Sequence, residues 1–232
     1  MAKVRLNKFL AECGIASRRG ADDLIAQGKI KVNGRAVKEL GIGVDPQKDK
    51  VEYWGRIIKP ETKLIFAFYK PRGVTSTTAD EHADKTIADF FPKSLGRLYP
   101  VGRLDKDSEG LMIVSNDGEL ANKLTHPRYE HEKEYEVIIG GDDPSNVKKF
   151  STRFQLDGYL TLPMQLSKFK KLKPKTWQMN LILKEGRKRQ IRRIADILGY
   201  KVLELKRIRI GKLKLGNLSF GKFQPLQEKD II

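Results

Sequence analysis

Apolar residues recur at two different spacings along this chain, and the switch between them constrains the fold more than any single motif. Over residues 4–28, Leu6, Phe9 and Leu10 and then Leu24 and Ile25 follow helical spacing, with a break at Gly14. Ser17 is placed to cap a second helix through "RRGADDLIAQG", with Gly28 as its stop. The stretch "KIKVNGRAV" then alternates around Asn33-Gly34, a hairpin signal. Beyond Pro60 the pattern changes: "KLIFAFYK", "LYPVGRL", "GLMIVS", "EKEYEVIIGG", "TWQMNLILKEG" and "KVLELKRIRIGKLKL" read as strands. Between them "NDGELANKL" predicts a turn and a short helix, and "RKRQIRRIADILGY" a helix with Ile191, Ile194, Ile197 and Leu198 on its apolar face. Mixed strands with few helices predict an α+β chain. Its 232 residues fit a small domain over 1–60 and a medium one over 63–232, joined near residues 58–63.

Charge narrows the function. There are 46 Lys+Arg against 29 Asp+Glu, a formal +17, which favours a polyanionic partner. Arg5, Lys8, Arg18, Arg19, Lys29 and Lys31 gather in the helix–helix–hairpin unit. They form either an ordinary solvated face or a nucleic-acid surface. Arg18 and Arg19 sit in a first helical turn, where the macrodipole disfavours cations and an arriving phosphate would offset that cost. A denser cluster runs from Lys184 to Lys214, with twelve basic residues against Glu185, Asp196 and Glu204. Neutralising six to ten phosphates would weaken binding roughly 10³–10⁵-fold between 50 and 200 mM salt.

No apolar run approaches the roughly 20 residues that span a bilayer, and the first residues lack the apolar core of a secretory signal, so no membrane role and a cytoplasmic location, or its organellar equivalent, are expected. The single cysteine, Cys13, excludes an internal disulfide and a multi-cysteine zinc site, and its apolar neighbours predict a core position. His82, His126 and His131 lack ligand-like spacing and read as surface or loop residues.

Against this basic background, "GRLDKDSEGLMI" places Asp105, Asp107 and Glu109 together. A carboxylate beside nucleic acid can chelate a metal, react, or hold a loop by pairing with arginine. Asp105 and Asp107 would share a face of an extended segment and could hold Mg²⁺, which would make a metal-dependent nuclease, but Arg103 and Lys106 crowd the stretch. A strand leading into Asp105 and a glycine, Gly110, closing the loop before the next strand favour a reactive group on a rigid support. Asp107 and Glu109 read as caps or partners for Lys106 and arginines.

Longer motifs add a resemblance. "RLNKFLAECGIASRRGADDLIAQGKIKVNGRAV" resembles the S4-like RNA-binding domain. "FYKPRGVTST", "PVGRLDKDSEGLMIVSNDGELANKLTHP", "EKEYEV" and "EGRKRQIRRIADILGYKVLELKRIRIG", in that order, resemble the ribosomal-RNA branch of the pseudouridine synthases that carries such a domain at its N-terminus. The resemblance implies a mixed, mainly antiparallel sheet with flanking helices, and a reaction in which uracil detaches from ribose, turns, and reattaches through carbon 5. It implies Asp105 as the essential carboxylate, acting on ribose or base, Tyr135 as the ring stacked on the target base and assisting proton removal, and Arg192 as the basic partner of the aspartate. Arg5, Ser17, Arg18, Arg19 and Lys29 are the implied RNA contacts of the first domain, with Arg103, Arg187, Arg189 and Arg193 added in the second.

An isomerisation at one sugar carbon needs no water, redox group or donor, so neither cofactor nor metal is expected. Positive character on the departing ribose calls for an ionised carboxylate, and a guanidinium about 4 Å away supplies on the order of 4 kcal/mol at an effective dielectric near 20. Extruding the base costs a few kcal/mol, of which stacking returns about 1–3. The implied partner is structured ribosomal RNA or a pre-ribosomal particle, met by a monomer, with the large subunit favoured. A non-catalytic ribosome-assembly factor with the same fold is the alternative.

Overall fold

The computed structural model describes residues 3–78 and 83–232. His82 lies outside them. The chain forms two compact units, one of Met1–Lys63 with Asn116–Gly118, the other of Leu64–Ser115 and Glu119–Ile232.

The first unit contains β1 (Val4–Arg5), α1 (Leu6–Glu12), α2 (Arg18–Ala26), β2 (Ile30–Val32), β3 (Arg35–Val37), β4 (Gly43–Val44), β5 (Val51–Tyr53) and β6 (Arg56–Ile57). The Ser17 hydroxyl accepts from the Gly20 N–H at 3.0 Å, capping α2. Gly28, at φ +69°, closes the same helix: its N–H bonds to Ile25 and that of Lys29 to Leu24, the paired turn-back that a left-handed residue permits. Leu6, Phe9 and Leu10 of α1 and Ala21 and Ile25 of α2 bury against Ile30, Val44 and Val51. Cys13 belongs to this core, and burial first, then Glu12 and Glu61, pushes its thiol up to about 12. The expected hairpin is half of a four-stranded sheet, ordered β3-β2-β5-β6, whose strands of two and three residues are too short to show a periodicity.

The second unit is built on β7 (Ile65–Lys70), β8 (Tyr99–Val101), β9 (Glu109–Ser115), α3 (Gly118–Thr125), β10 (Lys133–Gly140), the small pair β11 (Gln155–Leu156) and β12 (Tyr159–Leu160), β13 (Gln165–Lys173), β14 (Thr176–Leu183), α4 (Gln190–Ile197), β15 (Lys201–Ile210), β16 (Leu213–Lys214) and β17 (Phe223–Pro225). Its main sheet runs β13-β14-β10-β15-β9-β7-β17, with β16 added to β15 and β8 to β9. The sheet is mixed and mainly antiparallel, with β9 and β15 pairing in parallel. Both faces are covered, which explains why β7 and β9 read as continuous apolar runs. Phe66, Phe68, Met112 and Val114 point into one core with Ile191, Ile194 and Ala195 of α4, while Ala67, Tyr69, Leu111 and Ile113 point into another with Leu120 and Leu124 of α3. Ile197 departs from its expected apolar role: α4 ends there, and the side chain is 59% exposed while Ala195 buries instead.

Candidate active site

Asp105 sits in the turn between β8 and β9, where the Ser108 N–H bonds back to the Asp105 carbonyl at 3.0 Å. That turn is held from three sides. Lys70, at the end of β7 and fully buried, donates to the carbonyls of Pro71, Asp105 and Ser108 at 3.0, 3.1 and 2.7 Å. Ser76 clamps Leu104, its hydroxyl donating to the Leu104 carbonyl at 2.5 Å and accepting from the Leu104 N–H at 3.1 Å. Arg192, buried on α4, donates to the Asp107 carbonyl at 3.1 Å, the Ser108 hydroxyl at 3.2 Å and the Val202 carbonyl at 3.3 Å. Almost all of these partners are backbone atoms, so the side chains fix the path of the turn.

The arginine pairing differs from the expected one. Arg192 is not in a salt bridge with Asp105; its Nε lies 3.3 Å from the Asp107 carboxylate. The guanidinium that reaches Asp105 is Arg189, at 3.9 Å, and Arg189 also holds Asp107 in a two-pronged bond of 3.0 and 3.1 Å. The reason is local. Arg192 is in the first turn of α4 and lies beneath the Asp105 turn, whereas Arg189 precedes the helix in a left-handed conformation, φ +52°, that carries its side chain across it. Burial pushes the Asp107 carboxyl up, but the Arg189 hydrogen bonds and the Arg192 and Arg189 charges outweigh it and hold the group below its ordinary value. Burial lowers the Arg192 guanidinium despite the Asp107 charge. Asp107 thus ties the turn to α4. Glu109 instead begins β9 and accepts from the Tyr69 hydroxyl, and Lys106 pairs with Asp84. Among the described residues no cluster of His, Cys, Asp or Glu could hold a metal ion.

Asp105 opens onto a cavity of about 450 Å³ lined also by Arg103, Leu104, Tyr135, Leu183, Arg187, Arg189 and Ile191. Tyr135, 8% exposed on β10, forms part of its wall, while Glu134 and Glu136 point to the opposite face and bond Asn180 and Gln178. Arg103, Tyr135, Gly186 and Arg187 also line an adjoining cavity of about 690 Å³ that contains Lys133 and Arg207 and is bordered by His126 and His131. The Arg187 guanidinium stacks 3.4 Å from the centre of the Tyr159 ring. Arg193 stands apart: Asp157 takes both of its prongs at 2.7 and 2.8 Å, so its guanidinium is already occupied. In the first unit Arg5, Ser17, Arg18, Arg19 and Lys29 are all exposed.

Lys70, Ser76 and Glu185 were not visible as site residues. Glu185 shapes the cavity rim by accepting from Tyr159, Leu162 and Gln190. Apart from Pro71 and Gln190, their partners lie far away in sequence, and only the stretch "FYKPRGVTST" around Lys70 and Ser76 carries a signal.

The chain is similar in sequence and fold to known proteins. Residues 64–196 match the RNA pseudouridylate synthase family and residues 4–49 the S4 domain. The ribosomal large subunit pseudouridine synthase B of Bacillus subtilis is 40% identical over 98% of this chain and 93% of its own length. The dual-specificity RNA pseudouridine synthase RluF of Escherichia coli is 38% identical over 100% of this chain and 78% of its own. A crystal structure of a pseudouridylate synthase superposes with a TM-score of 0.68 at 30% identity, covering 98% of this chain and 97% of that one. With its second unit matched through the Asp105 turn and into α4, and relatives aligned over nearly its whole length, the chain belongs to the RNA pseudouridylate synthase family.

Proposed function

We propose that this isomerase converts a specific uridine of ribosomal RNA, in the large subunit, to pseudouridine, with Asp105 as the reacting carboxylate. The observation that carries the reading is the Asp105 side chain on a braced turn, at a cavity of a size suited to one nucleoside and walled by Tyr135. The C1′–N1 bond breaks, the base turns, and a C1′–C5 bond forms; the proton lost from C5 is matched by one gained at N1. Asp105 stabilises or captures the intermediate, with Arg189 as its immediate counter-charge. Tyr135 stacks on the extruded base and assists removal of the C5 proton. Arg192 serves as a positioning residue, through the Asp107 and Ser108 backbone and side-chain contacts that set the turn.

Arg103, Arg187 and Arg189 line the cavity mouth and are suited to the phosphates around the target, whereas Arg193 contributes by bracing Asp157. Residues 1–60 act as the docking arm, through Arg5, Ser17, Arg18, Arg19 and Lys29, and residues 63–232 as the catalytic domain. The chain works as a monomer on ribosomal RNA or a pre-ribosomal particle, in the compartment where ribosomes are made. The relatives named for the large subunit and for dual specificity support this choice of RNA.

The test is Asp105→Asn, assayed with ribosomal RNA in which pseudouridines are mapped. RNA binding is expected to persist while isomerisation falls at least roughly 10³-fold. An unaltered pseudouridine map in cells carrying only the variant would place the chain among non-catalytic RNA-binding assembly factors.

A further inference from the structure

Two hairpins of the first unit use the same two-residue turn and fill it differently. Between β2 and β3, Asn33 and Gly34 sit at φ 52° and 80°; between β5 and β6, Trp54 and Gly55 sit at 52° and 72°. Such turns favour Asn, Asp or Gly first, because a larger side chain is strained in the left-handed region. Asn33 also anchors its turn, accepting from the Lys50 N–H and donating to Asp49, each at 2.9 Å. Tryptophan in the equivalent place gains nothing of the kind. Trp54 is 75% exposed, the most exposed large apolar side chain among the described residues, and meets Tyr53 edge-on at 6.1 Å. Turn chemistry and burial both disfavour it there, which points to a use for the ring itself.

Its surroundings indicate what that use is. A hollow of about 190 Å³ lies against Trp54, lined by Gly28, Lys29, Lys31, Glu52 and Gly55. A flat exposed ring beside two lysines matches a ligand that is flat and anionic together, an unpaired nucleotide, better than an apolar protein surface. Glu52 offers an acceptor to an exocyclic amino group on the base. We propose that Trp54 is a stacking platform for an unpaired base of RNA, with Lys29 and Lys31 taking the adjoining phosphates. This deepens the reading of the chain as an enzyme of ribosomal RNA and rests on it.

The test uses the full chain and Trp54→Asn, which installs the residue the turn prefers and is expected to raise the unfolding temperature, so that lost binding cannot be blamed on lost folding. The ligands are short oligoadenylate and a ribosomal RNA stem–loop with unpaired flanking nucleotides. Trp177, the other tryptophan, is 5% exposed, so quenching by oligoadenylate reports on Trp54. Quenching in the wild type, affinity weakened roughly 5- to 100-fold in the variant, and recovery in Trp54→Phe are expected. Equal affinities without quenching, in a wild type that still isomerises uridine, would remove the platform and leave the synthase reading intact. A wild type that neither binds nor isomerises ribosomal RNA would bring down both.

Discussion

Lys70 carries its charge with none of its surface in water, and three carbonyls, two of them in the Asp105 turn, share its ammonium. Burial pulls its pKa down to about 8 from the ordinary 10.5, against the raising influence of Asp105 and Asp107. Between those values the unfolded chain binds more protons than the folded one, so this group makes folding more favourable as pH rises through the window. The same deprotonation leaves two N–H donors for three acceptors, and the turn that presents Asp105 loosens. Isomerisation at saturating RNA is therefore expected to decline above about pH 8, and a pH–rate profile that stays level to about pH 9.5 would refute the role. Asp105 and Tyr135 stood out in the sequence because each sits in a long motif. The lysine did not, since its two partners in that turn are main-chain atoms contributed 35 and 38 residues later. Arg192, expected beside Asp105, pairs with Asp107, and Arg189, expected on RNA, reaches both carboxylates, because a single left-handed residue ahead of a helix redirects a side chain, and no spacing rule carries that information.

At the level of elements, the parallel contact between β9 and β15 supports the active-site turn, since Gly110 pairs with Arg207 just after Ser108. The sequence suggested Gly110 as the end of the loop; it lies inside β9 instead, at φ +108°. A methyl group there would stand 2.3 Å from the Arg207 carbonyl oxygen and 2.7 Å from its nitrogen. Gly110→Ala combines backbone strain with a clash against main chain that cannot swing away, and is expected to cost about 3 kcal/mol or more. Thermal unfolding should shift down by roughly 6–12 °C, and a shift within about 1 °C would show that the two strands can part cheaply. Helix ends were easier to read than sheet pairing. Gly28 and Ser17 announce their roles locally, while the pairing of β9 with β15 depends on segments whose side chains match many possible neighbours.

Over the whole molecule, the cations behind the formal charge of +17 include exposed ones on the first unit and others around the cavity of the second. Each phosphate contact contributes about one to the slope of log affinity against log salt. Deleting residues 1–60 is expected to weaken binding to a ribosomal RNA stem–loop and to reduce that slope by roughly 3–5, as filter binding across a salt series would measure. An unchanged slope would assign binding wholly to the second unit. The charge imbalance was plain from composition, but not its internal use. Arg193 and Arg209 are engaged with Asp157 and with Glu132 and Glu134, so counting cations overstates what RNA can reach.

The order in which the polypeptide leaves the ribosome matters for the β9–β15 pairing as well. Glu109 and Gly110 await Lys206 and Arg207, synthesised roughly a hundred residues later, so the first unit can mature while the pocket still waits for β15. In a nascent chain the S4-domain unit is thus complete while the turn carrying Asp105 still lacks its last support.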